Sequence, residues 1–210
     1  LMKKEWLAVR VNLLNLTPVT VALEAALTCT NSESKIDSYD AAEFLKKLVS
    51  MGHESVIEHV VYSFVIEGVS RALLQELARH RHVSLSVQST RWALGKTVQN
   101  KRVFSEDEAV VLQDDDKAAA LSKLKETSET LQSQLEEAVR CGIPNDVLKY
   151  YIQESTTTKL VMTLNARELR HIFRLRTSPR ALKEFQTLCR KMFDELPYSH
   201  RFLYEEFFTT

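Results

Sequence analysis

Residues 60–91 read VVYSFVIEGVSRALLQELARHRHVSLSVQSTR, and the hydrophobic period changes twice within them. The opening VVYSFVIE is a β-branched and aromatic run with the length of a buried strand, and Gly68 ends it. From Val69 the apolar residues recur at helical spacing, and from 83 to 92 valine, serine, leucine and glutamine alternate as in an extended segment. The last part, Arg79 to Arg91, gathers three arginines, two histidines, three serines and a glutamine in a chain whose 28 Lys+Arg balance 28 Asp+Glu. A cationic function must therefore be local, because the global field attracts neither nucleic acid nor a membrane surface.

Outward from this passage, 7–14 (LAVRVNLL) suggests a strand, and Thr17-Pro18 opens a helix running to about Thr28. A helix over about 40–51 ends at Gly52 and leads into GHESVIEH. On the other side, residues 105–116 are acidic and expected to face solvent. Residues 117–140 carry Leu121, Leu124, Leu131, Leu135 and Val139 at the spacing of a long amphipathic helix. A short helix after Gly142-Ile143-Pro144, a strand-like STTTKLVMT and helices over about 166–176 and 180–195 follow. The length of 210 residues favours a single domain, 1–210, with no repeat or low-complexity tract. Cys29, Cys141 and Cys189 form no metal or redox motif and read as buried free thiols in a reducing compartment. No long apolar run predicts a membrane span and no signal-peptide pattern is present, so a cytoplasmic location is expected.

Polar groups on two apolar stripes point to a site. Glu76 and His80 fall on the stripe of Val69, Ala72, Leu73 and Leu77, one turn apart, so the two should meet near the core. A polar group on an inward face without a partner costs roughly 1–3 kcal/mol. Arg176 follows Leu169, Ile172 and Phe173 on the face of its helix, and since arginine keeps its charge it requires a carboxylate or ligand oxygen. Asn165 can cap that helix, with Glu168 at the third helical position and Arg167 beside an N-terminus suited to anions. Arg167, His171 and Arg174 form a basic face. No metal is expected, since GHESVIEH lacks the i, i+4 histidine spacing and His80 and His82 alternate with cations. No serine sits in a nucleophile elbow.

Arg79-His80-Arg81 followed after seven residues by Ser89 resembles RHRx7S, the signature of the flavin-dependent thymidylate synthases. SVQSTRW is similar to that family's SxQSxRY, GHESVIEH to GHESPxEH, and TLNARELRHIFRLR to TxNARxLxHFxxLR, so the resemblance extends over roughly residues 5–195. It implies an α+β subunit, an antiparallel sheet flanked by helices, in a homotetramer with shared active sites. It also implies FAD as cofactor, dUMP as substrate, and NADPH and 5,10-methylenetetrahydrofolate as co-substrates. On the same basis Arg79, Arg91, Ser89, the backbone of 87–90 (Val87, Gln88, Ser89, Thr90) and Lys149 are expected at the dUMP phosphate, with Glu76, Leu77 and Ala78 nearby. Ser55, Arg79, His80, Arg81, Val87, Asn165, Arg167 and His171 are expected at FAD. Arg176 is expected at uracil N3 and O4, where a permanent cation favours the anionic ring, and His53 at the folate or nicotinamide face of the flavin.

Five positions depart from the pattern: Glu76 replaces glutamine, Trp92 tyrosine, Lys149 arginine, and Leu182 and Phe185 the Gln and Ile of RAQWEI. Two other readings compete. A nucleic-acid module would use the RHRH run, Lys101-Arg102 and Trp92 for phosphates and stacking. An impaired relative would keep FAD but lose turnover through Glu76 and Lys149.

Overall fold

The computed structural model describes residues 9–99 and 115–209. The strands are β1 (Arg10–Leu16), β2 (Val61–Ser70), β3 (Val83–Val87) and β4 (Thr157–Asn165). The helices are α1 (Thr20–Thr28), α2 (Ala41–Ser50), α3 (Arg71–Leu77), α4 (Thr90–Gln99), α5 (Asp115–Arg140), α6 (Asn145–Leu148), α7 (Ala166–Arg176), α8 (Lys183–Glu195) and α9 (Tyr198–Arg201). This is an α+β fold around an antiparallel sheet in the order β1-β2-β4-β3. The register of β2 on β4 is fixed by Ser63 Oγ against Thr163 Oγ1 at 2.9 Å and by Lys159 Nζ against Glu67 Oε1 at 2.5 Å. The acidic stretch 105–114, Lys101-Arg102 and the first residues of the expected N-terminal strand lie outside the described residues.

The chain forms two compact units. The described part of the first falls in Glu67–Gln75 and Val87–Lys159. There Leu94, Leu135 and Leu148 make a small core joined by Leu131, Val139 and Ile152, so only the C-terminal half of the expected stripe of α5 packs on α4 and α6, while Leu121 and Leu124 are exposed. The second comprises Val9–Ile66, Glu76–Ser86 and Leu160–Thr210. Its core holds Tyr62, Phe64 and Ile66 from β2, Met162 and Leu164 from β4, Leu169, Ile172 and Phe173 from α7, and Phe185, Leu188 and Met192 from α8. Two buried tyrosines are hydrogen-bonded within it: Tyr62 Oη meets His200 Nδ1 at 2.9 Å, and Tyr204 Oη donates to Tyr62 Oη at 3.0 Å. Arg170, buried on α7, sends Nε to Glu54 Oε1 at 3.2 Å, Nη1 to the Leu203 carbonyl and Nη2 to Glu206.

Several boundaries differ from the sequence reading. The strand expected to stop at Gly68 continues to Ser70, and α3 begins at Arg71, because Ser70 Oγ accepts the Leu73 N–H at 3.0 Å and caps the helix. The extended segment expected to reach residue 92 stops at Val87. Ser89 Oγ accepts the Arg91 N–H at 3.2 Å and opens α4. Helix α1 starts at Thr20, with Val19 rather than Thr17 at its cap position. Of the cysteines expected to be buried, only Cys189 is, while Cys29 and Cys141 are exposed and all are free. No helix among the described residues is long and apolar enough to cross a membrane.

Gly52 ends α2 with φ of 84°, a left-handed conformation that aligns the Gly52 N–H on the Val49 carbonyl (2.9 Å) and the His53 N–H on the Leu48 carbonyl (2.9 Å). This turn sets the entry of the GHES segment. A Cβ at Gly52 would meet nothing within 4 Å, so its cost is purely conformational. Gly52→Ala is expected to lower unfolding free energy by about 1–2 kcal/mol in denaturant titration, with the fold retained.

Candidate active site

Arg176 is the last residue of α7, carried there by a helix whose apolar face is sealed against the core of the second unit. Its Nη1 donates to Glu76 Oε2 at 2.5 Å and its Nε donates to His80 Nε2 at 3.2 Å. The guanidinium carbon lies 4.8 Å from the centroid of the Phe185 ring. The side chain is only 20% exposed, against 36% for Glu76 and 4% for His80. Two acceptors on two residues thus take the Nη1 and Nε donors of the guanidinium, and Nη2 carries two further N–H groups for an oxygen ligand. Glu76 and His80, expected to meet near the core on one helical stripe, are instead each bonded to Arg176, with His80 beyond the end of the helix. Helix α3 stops at Leu77, and the turn in which Arg79 N bonds to the Glu76 carbonyl and His80 N to the Leu77 carbonyl keeps both on one side.

His80 also places Nδ1 3.4 Å from Glu168 Oε1, and both side chains are buried. Burial, followed by repulsion from Arg176 and then His171, lowers the His80 pKa to about 4. The ring is neutral at physiological pH. The His171 ring stands 5.8 Å from it, exposed at its own edge. Asn165 Oδ1 accepts the Glu168 N–H at 2.9 Å, which is the expected cap of α7. Arg167 is exposed and donates to Glu58 Oε1 at 2.6 Å, a bond that raises its pKa further. Glu54 accepts from both Arg170 and Arg174, with Arg174 Nη2 at 3.3 Å, and His53 and Ser55 flank it as exposed residues. Arg79 and Arg81 are exposed on the turn after α3, next to exposed Ala78 and buried Leu77.

In the first unit, Gln88, Ser89 and Thr90 line a hollow with Arg71, Leu94, Thr156, Thr157 and Thr158. Arg71 and the threonines were not anticipated, because STTTKLVMT reads as a strand and an arginine at the start of a helix carries no motif. Arg91 sends Nε to Asp146 Oδ1 at 3.2 Å while Asn145 Nδ2 donates to its carbonyl at 2.8 Å. Half-buried Val87 closes β3, and the ammonium of Lys149 lies 5.2 Å from the centroid of the Tyr150 ring. Trp92 is 82% exposed. Burial pushes the Cys189 thiol up, so it is not a nucleophile at neutral pH.

The model of the family described as thymidylate synthase complementing protein matches residues 12–198. A flavin-dependent thymidylate synthase from Helicobacter pylori is 38% identical over 201 residues, covering 90% of this chain and 94% of that protein. One from Pyrococcus furiosus is 31% identical, covering 90% and 79%. The crystal structure of thymidylate synthase X from Helicobacter pylori with FAD and dUMP superposes with a TM-score of 0.81 at 31% identity, over 97% of this chain and 100% of that one.

The depressed pKa of His80 has a consequence for stability. An unfolded histidine takes its proton near pH 6.5 whereas the folded one resists until about 4, so the unfolded state binds more protons between these values. Stability is expected to be greatest above about pH 6.5 and to be lost as pH falls towards 4. In urea titrations across that window, His80→Gln should show a shallower fall than the parent, and equal slopes would mean that His80 titrates normally.

Proposed function

The chain belongs to the family of thymidylate synthase complementing proteins, and from that membership we propose that it is a flavin-dependent thymidylate synthase. It would convert dUMP to dTMP with 5,10-methylenetetrahydrofolate as carbon donor, releasing tetrahydrofolate. The observation that carries the proposal to particular residues is the seating of Arg176. A guanidinium clamped by Glu76 and His80 at the end of a buried helix presents fixed N–H groups that a uracil O4 and N3 can meet. A permanent cation there stabilises the anionic ring and makes C5 more nucleophilic.

The residues at hand suit a flavin dinucleotide. Arg79 and Arg81 are exposed cations on the turn after α3, and Arg167, His171, Asn165 and Ser55 offer donors around the start of α7 and the GHES segment. His80 supports this site from beneath, since its two ring nitrogens already face Arg176 and Glu168. When bound, FAD reduced by NADPH supplies the hydride. The chain's own part is to hold and orient, with Arg176 polarising the pyrimidine and His53 beside the folate or nicotinamide.

For dUMP, Ser89 and the N–H groups that open α4, with Val87, Gln88 and Thr90, form an anion seat of the kind a phosphate takes at a helix start. Arg91, Arg79 and Lys149 add cations, the last as a point charge. In a homotetramer with shared active sites, each of these groups reaches the ligand from whichever copy presents it. Free exposed Cys29 and Cys141 suit a reducing cytoplasm.

Purified protein is expected to show flavin absorbance and to form dTMP from dUMP only with methylenetetrahydrofolate and NADPH present. Flavin without turnover would favour the impaired relative, and colourless protein binding polynucleotide in a salt-dependent way would favour the nucleic-acid module. Arg176→Ala should leave flavin content intact and reduce dTMP formation below detection. Glu76→Gln removes an anion from the surroundings of a dianionic substrate, so the KM for dUMP should fall about threefold, in line with the modest worth of a half-exposed charge.

A further inference from the structure

Glu168 and Arg176 sit near opposite ends of α7, about 12 Å apart along the helix axis, too far to touch. His80 joins them, with Nδ1 at 3.4 Å from Glu168 Oε1 and Nε2 at 3.2 Å from Arg176 Nε. We propose that Glu168 is a positioning residue: by accepting from His80 Nδ1–H it holds the imidazole in the tautomer whose bare Nε2 accepts from Arg176 Nε, and so fixes the aim of the guanidinium.

The argument is one of donor and acceptor roles. The Nε–H of arginine is always a donor, so the ring atom facing it must carry a lone pair. A neutral imidazole with bare Nε2 bears its proton on Nδ1, and that N–H needs an acceptor because the ring is buried. The Glu168 carboxylate is that acceptor. It is held in place by its own backbone, whose N–H is bound to Asn165 Oδ1. An acid at the third helical position also suits the positive end of α7. Glu168 falls on a position that the pattern TxNARxLxHFxxLR leaves open, so the motif assigns it nothing.

The same donor logic weighs against a metal ion. His80, Glu168 and His171 bring ligand atoms within 4.8 Å of one another. Coordination there through Nδ1 of His80 would need that nitrogen bare, leaving the proton on Nε2, against Arg176 Nε–H. Two donors would then face each other. The tautomer that serves Arg176 and the tautomer that binds a metal through Nδ1 exclude each other.

The kinetic side of this proposal rests on the thymidylate synthase reading, while the ring-nitrogen assignment does not. In protein labelled with 15N-histidine, the His80 signals being assigned through His80→Gln, the parent is expected to show Nδ1 protonated and Nε2 bare. Glu168→Gln keeps an oxygen acceptor and should retain that state, with kcat recovered to within about twofold. Glu168→Leu should give a mixture of tautomers and reduce kcat about tenfold while the KM for dUMP stays within about twofold, since the aim of Arg176 and not the phosphate seat is lost. A parent ring protonated on Nε2, stoichiometric zinc binding lost in Glu168→Leu, or a Glu168→Leu protein with the parent's tautomer and kcat would each overturn the proposal. If Glu168→Leu does not fold, the parent and Glu168→Gln spectra still decide it. Absence of dTMP formation in every preparation would instead overturn the functional reading, whatever the spectra show.

Discussion

A guanidinium that cannot lose its charge, placed where water is scarce, governs the rest of this structure. Arg176 ends a helix whose inward face also carries Leu169, Ile172 and Phe173, and such a cation is tolerated only with matched acceptors at fixed positions. Glu76 supplies opposite charge and His80 a lone pair. Phe185, in place of the aliphatic residue of the related pattern, supplies the face of a ring. Each of these then acquires its own requirement. The imidazole must stay neutral, the turn after α3 must hold Glu76 and His80 on one side, and the start of α7 must carry an acid.

The replacement of glutamine by Glu76 gains meaning in this setting. With a neutral amide at that place the cation would be balanced chiefly by its ligand, whereas the carboxylate answers it before any ligand arrives. In the proposed reading, an incoming pyrimidine would then compete with an internal partner for the same guanidinium. Charge is handled similarly around Glu54, on which Arg167, Arg170 and Arg174 converge. The balanced composition is thus reproduced locally, cation by cation, and leaves Arg79 and Arg81 as the exposed basic groups of the turn.

Much of this was legible in the sequence because it obeyed periodicity. The inward placement of Glu76 and Arg176 follows from helical spacing, as does the cap by Asn165, whose partner Glu168 lies three residues on, whereas His80 lies beyond the end of α3 and is brought in by the turn that follows it. What escaped had a common cause. Ser70 and Ser89 each start a helix by accepting a backbone N–H, yet each lies inside a passage whose apolar alternation looks continuous, so α3 was begun too early and α4 was missed. The acceptor on the far side of His80 escapes a local reading as well, since the spacing from Asn165 accounts for Glu168 as part of the helix cap. Its backbone does serve the cap, while its side chain turns to the imidazole. Arg71 beside Thr156–Thr158 was hidden for a different reason, because strand-to-strand proximity is a long-range fact that no local pattern records.

Arg170 shows how synthesis and folding are tied together in this chain. Its buried guanidinium depends on the carbonyl of Leu203, which follows 33 residues later, and on Glu206 beyond it. At roughly 5–20 residues per second, the ribosome leaves that charge with Glu54 alone for about two to seven seconds after Arg170 has been added. During this interval the helix that carries the candidate active site has Glu54 but not its other partners. Final docking of α7 therefore waits on residues translated well after it, and a pause between codons 171 and 206 would prolong the vulnerable state.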